Sequence, residues 1–310
     1  MNNKKVNWLY LIIILANYGL VAMMLVIMFQ GKIFNMSIIE SLLLAQAIMF
    51  VPAVCFAVAS RVDSGGVGFN EMLGFHKIKV STFFMLILFT MLLSPLTSLI
   101  NSISMLFVDN AVDAISDRVL GMPFPVMLFF IGILGPFSEE FVFRGIIFRG
   151  YKNSGSILQA VIWSAILFGL MHLNFNQAAY AFVLGIMLAF AVEATGSLWA
   201  SVIMHIVFNS PSVIIMYLAD FISPGFYSEA NAEEMLTQSD LIAMIGPELI
   251  MAAIATSLAV CVLVWIAKNE NREEHFRNIW ARRKETKGHI VSIPLIIAII
   301  LCLIYMIVLA

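Results

Sequence analysis

Charge is what this sequence has least of. Its 310 residues hold 17 Lys and Arg and 19 Asp and Glu, 12% of the chain, against 62% hydrophobic residues. Soluble domains run about 25% charged and about 45–50% apolar, so a larger soluble core does not explain the difference. The net charge of −2 says nothing about partners, because the charges are segregated by loop, and no basic stripe suggests nucleic acid. Cysteine is scarce too. Cys55, Cys261 and Cys302 all lie inside apolar runs and no CxxC occurs, which removes a disulfide framework and a thiolate zinc site. All three are expected as buried small hydrophobes. Also missing are G-x-S-x-G, HExxH and a P-loop, so serine hydrolase, soluble zincin and NTPase readings have no support. No pair of intramembrane aspartates supplies an aspartyl dyad.

What is present is apolar length. The mean hydropathy is +0.99. Hydrophobic runs of about 20 residues recur, each long enough to cross a hydrocarbon layer of about 30 Å at about 1.5 Å per residue. The expected fold is all-α: a polytopic transmembrane helix bundle of eight or nine spans in a lipid bilayer. Spans are predicted near Trp8–Phe29, Ile38–Ser60, Val80–Ile100, Pro123–Tyr151, Ser156–Leu173, Ala178–Val192, Leu198–Leu218, Leu241–Ala267 and Ile290–Leu309. The sixth is short for a crossing. Trp8 and Tyr10 are expected as interfacial anchors, and the first run is too long for a signal peptide. Three parts follow: spans one to three (1–122), a helix core (123–218) and an acidic loop with the last two spans (219–310).

Loop charges suggest an orientation. Lys4 and Lys5, the segment Arg61–Lys79, Arg149–Lys152 and the basic stretch Lys268–His289 all fall on one side if the amino terminus is cytoplasmic. The turn with Gly31 and Lys32 and two acidic loops fall opposite; the latter carry Asp109, Asp113, Asp117 and Glu229, Glu233, Glu234. The chain reads as a multi-pass membrane protein with a cytoplasmic amino terminus. Glu193 to Gly196 reads as a turn, and His76, His275 and His289 read as solvated.

Against this background, the stretch GPFSEEFVFRGIIFR from Gly135 to Arg149 stands out. Ionised groups in a membrane are costly unless they face a polar interior, and they mark functional sites. Glu139 and Glu140 point about 100° apart on a helix, and Arg144 lies one turn after Glu140, where it can pair with it. Pro136 predicts a kink just before the carboxylates. His172 and His205 lie in two other spans, with Phe168 one turn from His172 and Asn209 one turn from His205. A carboxylate and an imidazole can deprotonate a water, and a second imidazole with a carboxamide can hold an oxyanion. Alternatively, Glu139, His172 and His205 form a ligand set for zinc. Counting residues from the cytoplasmic face puts His205 about 11 Å deep, Glu139 about 18 Å and His172 about 24 Å, depths that meet only if a helix tilts or starts outside the membrane.

EEFVFR (Glu139 to Arg144), FGLMH (Phe168 to His172) and HIVFN (His205 to Asn209) resemble, in order, the EExxxR, FxxxH and HxxxN motifs of the CAAX prenyl endopeptidase and bacteriocin-processing (CPBP, or Abi) family. The resemblance covers about Pro123–Pro211. It implies an intramembrane endopeptidase acting on a membrane-associated peptide or protein. Glu139 and His172 would activate water, and His205 with Asn209 would form the oxyanion hole, supported by Glu140 and Arg144. Family members are often described as metalloproteases, so zinc stays open. Bacterial members also serve in bacteriocin immunity or as regulatory scaffolds, so a non-proteolytic scaffold or sensor is the second reading. A proton-coupled transporter is a third, disfavoured because the histidine and carboxylate candidates are confined to spans four to seven. The sequence is silent on substrate and oligomeric state.

Overall fold

A computed structural model describes residues 2–29, 36–63, 65–108, 110, 116–225, 237–285 and 288–308. Gly31, Lys32, Asp109, Asp113, Glu229, Glu233 and Glu234 lie outside the described residues. The fold is an all-α polytopic bundle. Its elements are α1 (Asn3–Phe29), α2 (Ile38–Asp63), α3 (Phe69–Leu73), α4 (Val80–Met105), α5 (Ser116–Leu120), α6 (Phe124–Lys152), α7 (Ile157–Met171), α8 (Phe175–Thr195), α9 (Leu198–Ile222), α10 (Gln238–Asn269), α11 (Glu273–Ala281) and α12 (Ile293–Val308). Seven are long and apolar enough to cross a membrane, and α7 and α12 are shorter apolar helices. The helix predicted as the short sixth span, α8, has 21 residues and is long enough to cross.

α6 is the central rod. Its stretch Phe141–Phe148 is buried on every side. Around it pack Val6, Tyr10 and Ile14 of α1, Met49 and Ala53 of α2, Val161 and Phe168 of α7, Ala189 of α8 and Val202 of α9. A second core joins Leu86, Phe89 and Leu93 of α4 to Leu184 and Leu188 of α8, Met204 of α9 and Ala259 and Leu263 of α10. A helix apolar on all faces belongs inside a bundle, whereas one facing lipid needs only one packed stripe.

Local chemistry sets the helix ends that matter. Ser156 and Gln159 cap α7 reciprocally, at 3.2 and 3.1 Å. α7 stops at His172, and Leu173 takes a left-handed φ of +52°, unusual for a side chain with a Cβ. Asn174 then caps α8 by accepting from the Gln177 amide at 3.0 Å. Gly196, φ +76°, ends α8. The Ser197 hydroxyl caps α9 and donates to the His76 carbonyl, and the Leu198 amide donates to Gly74 O at 2.7 Å. The loop before α4 is thereby tied to the start of α9.

Several expectations fail on burial. Cys302 is buried, but Cys55 and Cys261 are exposed on α2 and α10. Lipid accepts apolar groups as readily as a core does, so hydropathy cannot tell the two apart. Tyr10 is not an interfacial anchor: it is fully buried, and its hydroxyl donates to Leu167 O at 3.0 Å. Trp8 is exposed. Glu193 is no turn residue: it is buried in the last turn of α8 and pairs with Lys152 and, at 2.7 Å, with His275 Nε2. His275 is therefore half-buried and partnered rather than solvated.

Candidate active site

The α6 backbone opens up where the carboxylates sit. Leu128–Leu134 and Phe141–Phe148 are π-helical and flank the α-helical Gly135–Glu140. Wide turns of this kind concentrate at functional sites. The Gly135 amide donates to Phe130 O, five residues back. The next donor in that register would be residue 136, aimed at Ile131 O, but proline has no N–H. Two α9 side chains reach this break: Asn209 Nδ2 donates to Ile131 O at a long 3.5 Å, and Ser210 Oγ to Gly132 O at 3.3 Å. The helices approach closely there, because a Cβ on Gly132 would stand 2.9 Å from Ser210 Oγ. The kink predicted from Pro136 is thus a widened helix whose freed carbonyls are served by a neighbour.

Below the break, Glu140 is fully buried and its Oε1 accepts from Arg144 Nη1 at 2.7 Å and from His205 Nδ1 at 2.9 Å. Arg144 is equally buried. Its Nη2 donates to Gly185 O at 3.1 Å, and its guanidinium lies 4.3 Å from the centre of the Phe168 ring. Glu140 therefore holds the imidazole from α9 and the guanidinium of its own helix on one oxygen. Because a carboxylate only accepts, Nδ1 of His205 carries a proton. Its Nε2 faces Glu139 Oε2 at 3.8 Å. Glu139 is the more open carboxylate, with its side chain 22% exposed against 0% for Glu140.

His172 stands at the end of α7. Its Nδ1 is 2.9 Å from Phe168 O, a carbonyl that can only accept, so Nδ1–H donates and Nε2 is left outside that bond. The Phe168 ring meets both imidazoles edge to face, with centroids 5.1 Å from His172 and 5.6 Å from His205. Both histidines thus lie against one aromatic ring, although counting from helix starts separates them. Glu139, Glu140, Arg144 and His205 are brought into direct contact, and His172 joins them through Phe168. Among the described residues, no ion pair links Glu139 to His172, and Asn209 is turned toward the Pro136 break.

Zinc would require three of these side chains to close on one point. Among the described residues, no three His, Cys, Asp or Glu side chains form such a group. Glu139, His172 and His205 as placed do not fit a zinc ligand set.

Gln46 and Glu248 are among the intramembrane polar residues that escaped the sequence reading. Gln46 of α2 has a buried Oε1 without a partner, and its amide nitrogen lies beside Gly135. Glu248 of α10 accepts from Ser98 Oγ at 3.0 Å and leaves Oε2 unpartnered. Each is a single polar letter in an apolar run, a signal that was available.

Residues 121–211 match the family model described as type II CAAX prenyl endopeptidase Rce1-like. The chain is 30% identical over 94 residues to YdiL of Bacillus subtilis (strain 168), whose name assigns it provisionally to the membrane peptidases; the match covers 30% of this chain and 38% of that protein. It is 29% identical over 107 residues to the membrane-embedded CAAX protease MroQ of Staphylococcus aureus (strain USA300), covering 32% of this chain and 43% of that protein. The match thus spans about two fifths of the length of these curated relatives. No solved structure matches the chain. The resemblance read from EEFVFR, FGLMH and HIVFN holds over this segment, and the comparisons support a membrane protease.

Proposed function

We propose that this protein is an intramembrane endopeptidase that hydrolyses a peptide bond of a membrane-associated peptide or protein, with Glu139 and His172 activating the water. The observation that carries the reading is the division of labour between adjacent glutamates. Glu140 is committed to Arg144 and His205, whereas Glu139 is partly open and faces an imidazole. Two carboxylates and one guanidinium leave the buried set one positive charge short of neutrality. In the proposed reaction a further proton on His205 Nε2 balances it and leaves Glu139 able to accept one.

In the proposed reaction, water attacks the scissile carbonyl carbon and gives up a proton to Glu139, assisted by the free Nε2 of His172. The carbonyl π pair moves onto oxygen, and His205 Nε2–H and the second Nδ2–H of Asn209 donate to that oxyanion. Collapse re-forms the carbonyl and breaks the C–N bond, and the proton on Glu139 passes to the leaving amine. We place the amino terminus and the basic stretch Lys268–His289 on the cytoplasmic side by their lysines and arginines.

The test is a comparison of membrane peptides from cells carrying wild type or Glu139→Gln. At least one processed peptide is expected to vanish with Glu139→Gln. With that peptide, the purified variant should be slower by about 10²–10⁴-fold, and wild type should keep its activity after chelation. Full turnover by Glu139→Gln would end the water-activation role. Loss on chelation with recovery on added zinc would favour the metal reading. That no ion pair links Glu139 to His172 among the described residues favours one second reading, a membrane scaffold or bacteriocin-immunity protein. It predicts that Glu139→Gln keeps the cellular phenotype.

A further inference from the structure

The site polar groups on α6, α7 and α9 all serve the reaction proposed above, but Gln46 does not. It stands on α2 in the run LLLAQAIMF, outside residues 121–211 that match the family model. Its Nε2 lies 3.5 Å from the position a Cβ of Gly135 would occupy, an ordinary contact distance, so the amide stands against this face of α6. Gly135 and Glu139 are one turn apart on the same helix face. One turn after Gln46, Phe50 packs on Phe137 and Phe141, with ring centroids 6.3 and 5.0 Å away. That packing fixes the register of α2 against the carboxylates. Gln46 Oε1 is buried without a hydrogen-bond partner. Such an acceptor in apolar surroundings is costly, and an isosteric apolar side chain would remove the cost.

A carboxamide offers one acceptor and a donor pair, the complement of a peptide group. We propose that Gln46 is a substrate-binding residue whose carboxamide pairs with a backbone amide group of the bound peptide. The proposal rests on the peptidase reading. It also fixes a distance. One helical turn is about 5.4 Å, and an extended chain advances about 3.3 Å per residue. The peptide group held by Gln46 therefore lies one or two residues from the bond presented to Glu139. Because it recognises backbone, the contact favours an extended, unwound stretch of substrate over a helical one, whose backbone amides are already used.

Two measurements test this. With the peptide recovered above, Gln46→Met in proteoliposomes is expected to raise KM about tenfold and to leave kcat within about twofold. Its thermal midpoint should be unchanged or higher, and Gln46→Glu, which keeps the acceptor, should recover part of the loss. KM and kcat both within twofold of wild type in Gln46→Met would overturn the proposal. The second measurement places a benzophenone amino acid at position 46 in a Glu139→Ala chain and irradiates cells. A polypeptide adduct is expected there and not from lipid-facing position 58. Turnover by the wild type with no adduct from position 46 refutes the Gln46 contact alone. An adduct without wild-type turnover supports the contact and refutes proteolysis.

Discussion

α6 and α10 carry the same local sequence feature with opposite results. Each is a long apolar helix with a Gly-Pro step followed by glutamate: Gly135-Pro136 before Glu139 and Glu140, and Gly246-Pro247 before Glu248. On α6, half the span window is buried, the helix widens on both sides of the carboxylates, and Glu140 gathers an arginine and a histidine. On α10, 28% of the window is buried, the helix runs on as a regular α-helix, and Glu248 meets one serine hydroxyl. A proline and a carboxylate do not make a site by themselves. The neighbours do, by supplying cations and donors for what the proline frees.

The largest effect that would break this comparison is on stability. Arg144→Met leaves Glu140 buried without its guanidinium partner and should cost about 3–5 kcal/mol of unfolding free energy. Glu248→Gln removes a carboxylate that makes no ion pair among the described residues, so it should be neutral or stabilising. Denaturant titration of both variants in the same detergent decides the matter. Equal losses would mean that the two glutamates are in the same physical situation. Adding Glu140→Gln to Arg144→Met should recover part of the loss, because the orphaned charge goes with it.

How much of this was legible before the structure depends on the distance over which each signal acts. The Glu140–Arg144 pair follows from i,i+4 spacing, and the helix core from apolar run length. Ser156 with Gln159 marks a helix start by the same local logic. The bond from His205 to Glu140 was not legible, because nothing in a hydropathy pattern sets the rotation of one helix against another. The same limit hid Tyr10 and Glu193, which were assigned to surfaces and are buried. The exposed Cys55 and Cys261 were missed because lipid and core select for the same letters. Leu173 in the left-handed region sets the turn that carries His172, and no glycine was there to mark it.

A smaller effect sharpens the account of α6. If Asn209 serves the carbonyl that Pro136 orphans, the two residues are coupled. Asn209→Ala should cost about 0.5–1.5 kcal/mol in the wild-type chain. Pro136→Ala restores an N–H in register with Ile131 O, so the cost of Asn209→Ala should fall toward zero in that background. A double-mutant cycle in unfolding free energy reads the difference directly. Cleavage gives the complementary view. An oxyanion donor lost with Asn209 would cost about 10²–10³-fold in rate with either residue at 136. Coupling in stability without coupling in rate would assign Asn209 both roles. Additive stabilities would remove the structural one.

The smallest effect tests the division between packed core and lipid face, which hydropathy could not supply. Cys302 is buried beside the Tyr10 hydroxyl, with Sγ 3.7 Å from it. Cys302→Ala should open a small cavity and deprive Tyr10 of one neighbour, a cost of about 1 kcal/mol. Cys55 borders a shallow apolar groove between α1 and α2, and Cys261 is exposed on α10. Lipid refills the space left by either side chain, so Cys55→Ala and Cys261→Ala should stay within about 0.5 kcal/mol of wild type. Thermal unfolding of the three single variants in one lipid mixture ranks them. A loss at Cys55 or Cys261 as large as that at Cys302 would mean that a protein surface covers that face of the bundle.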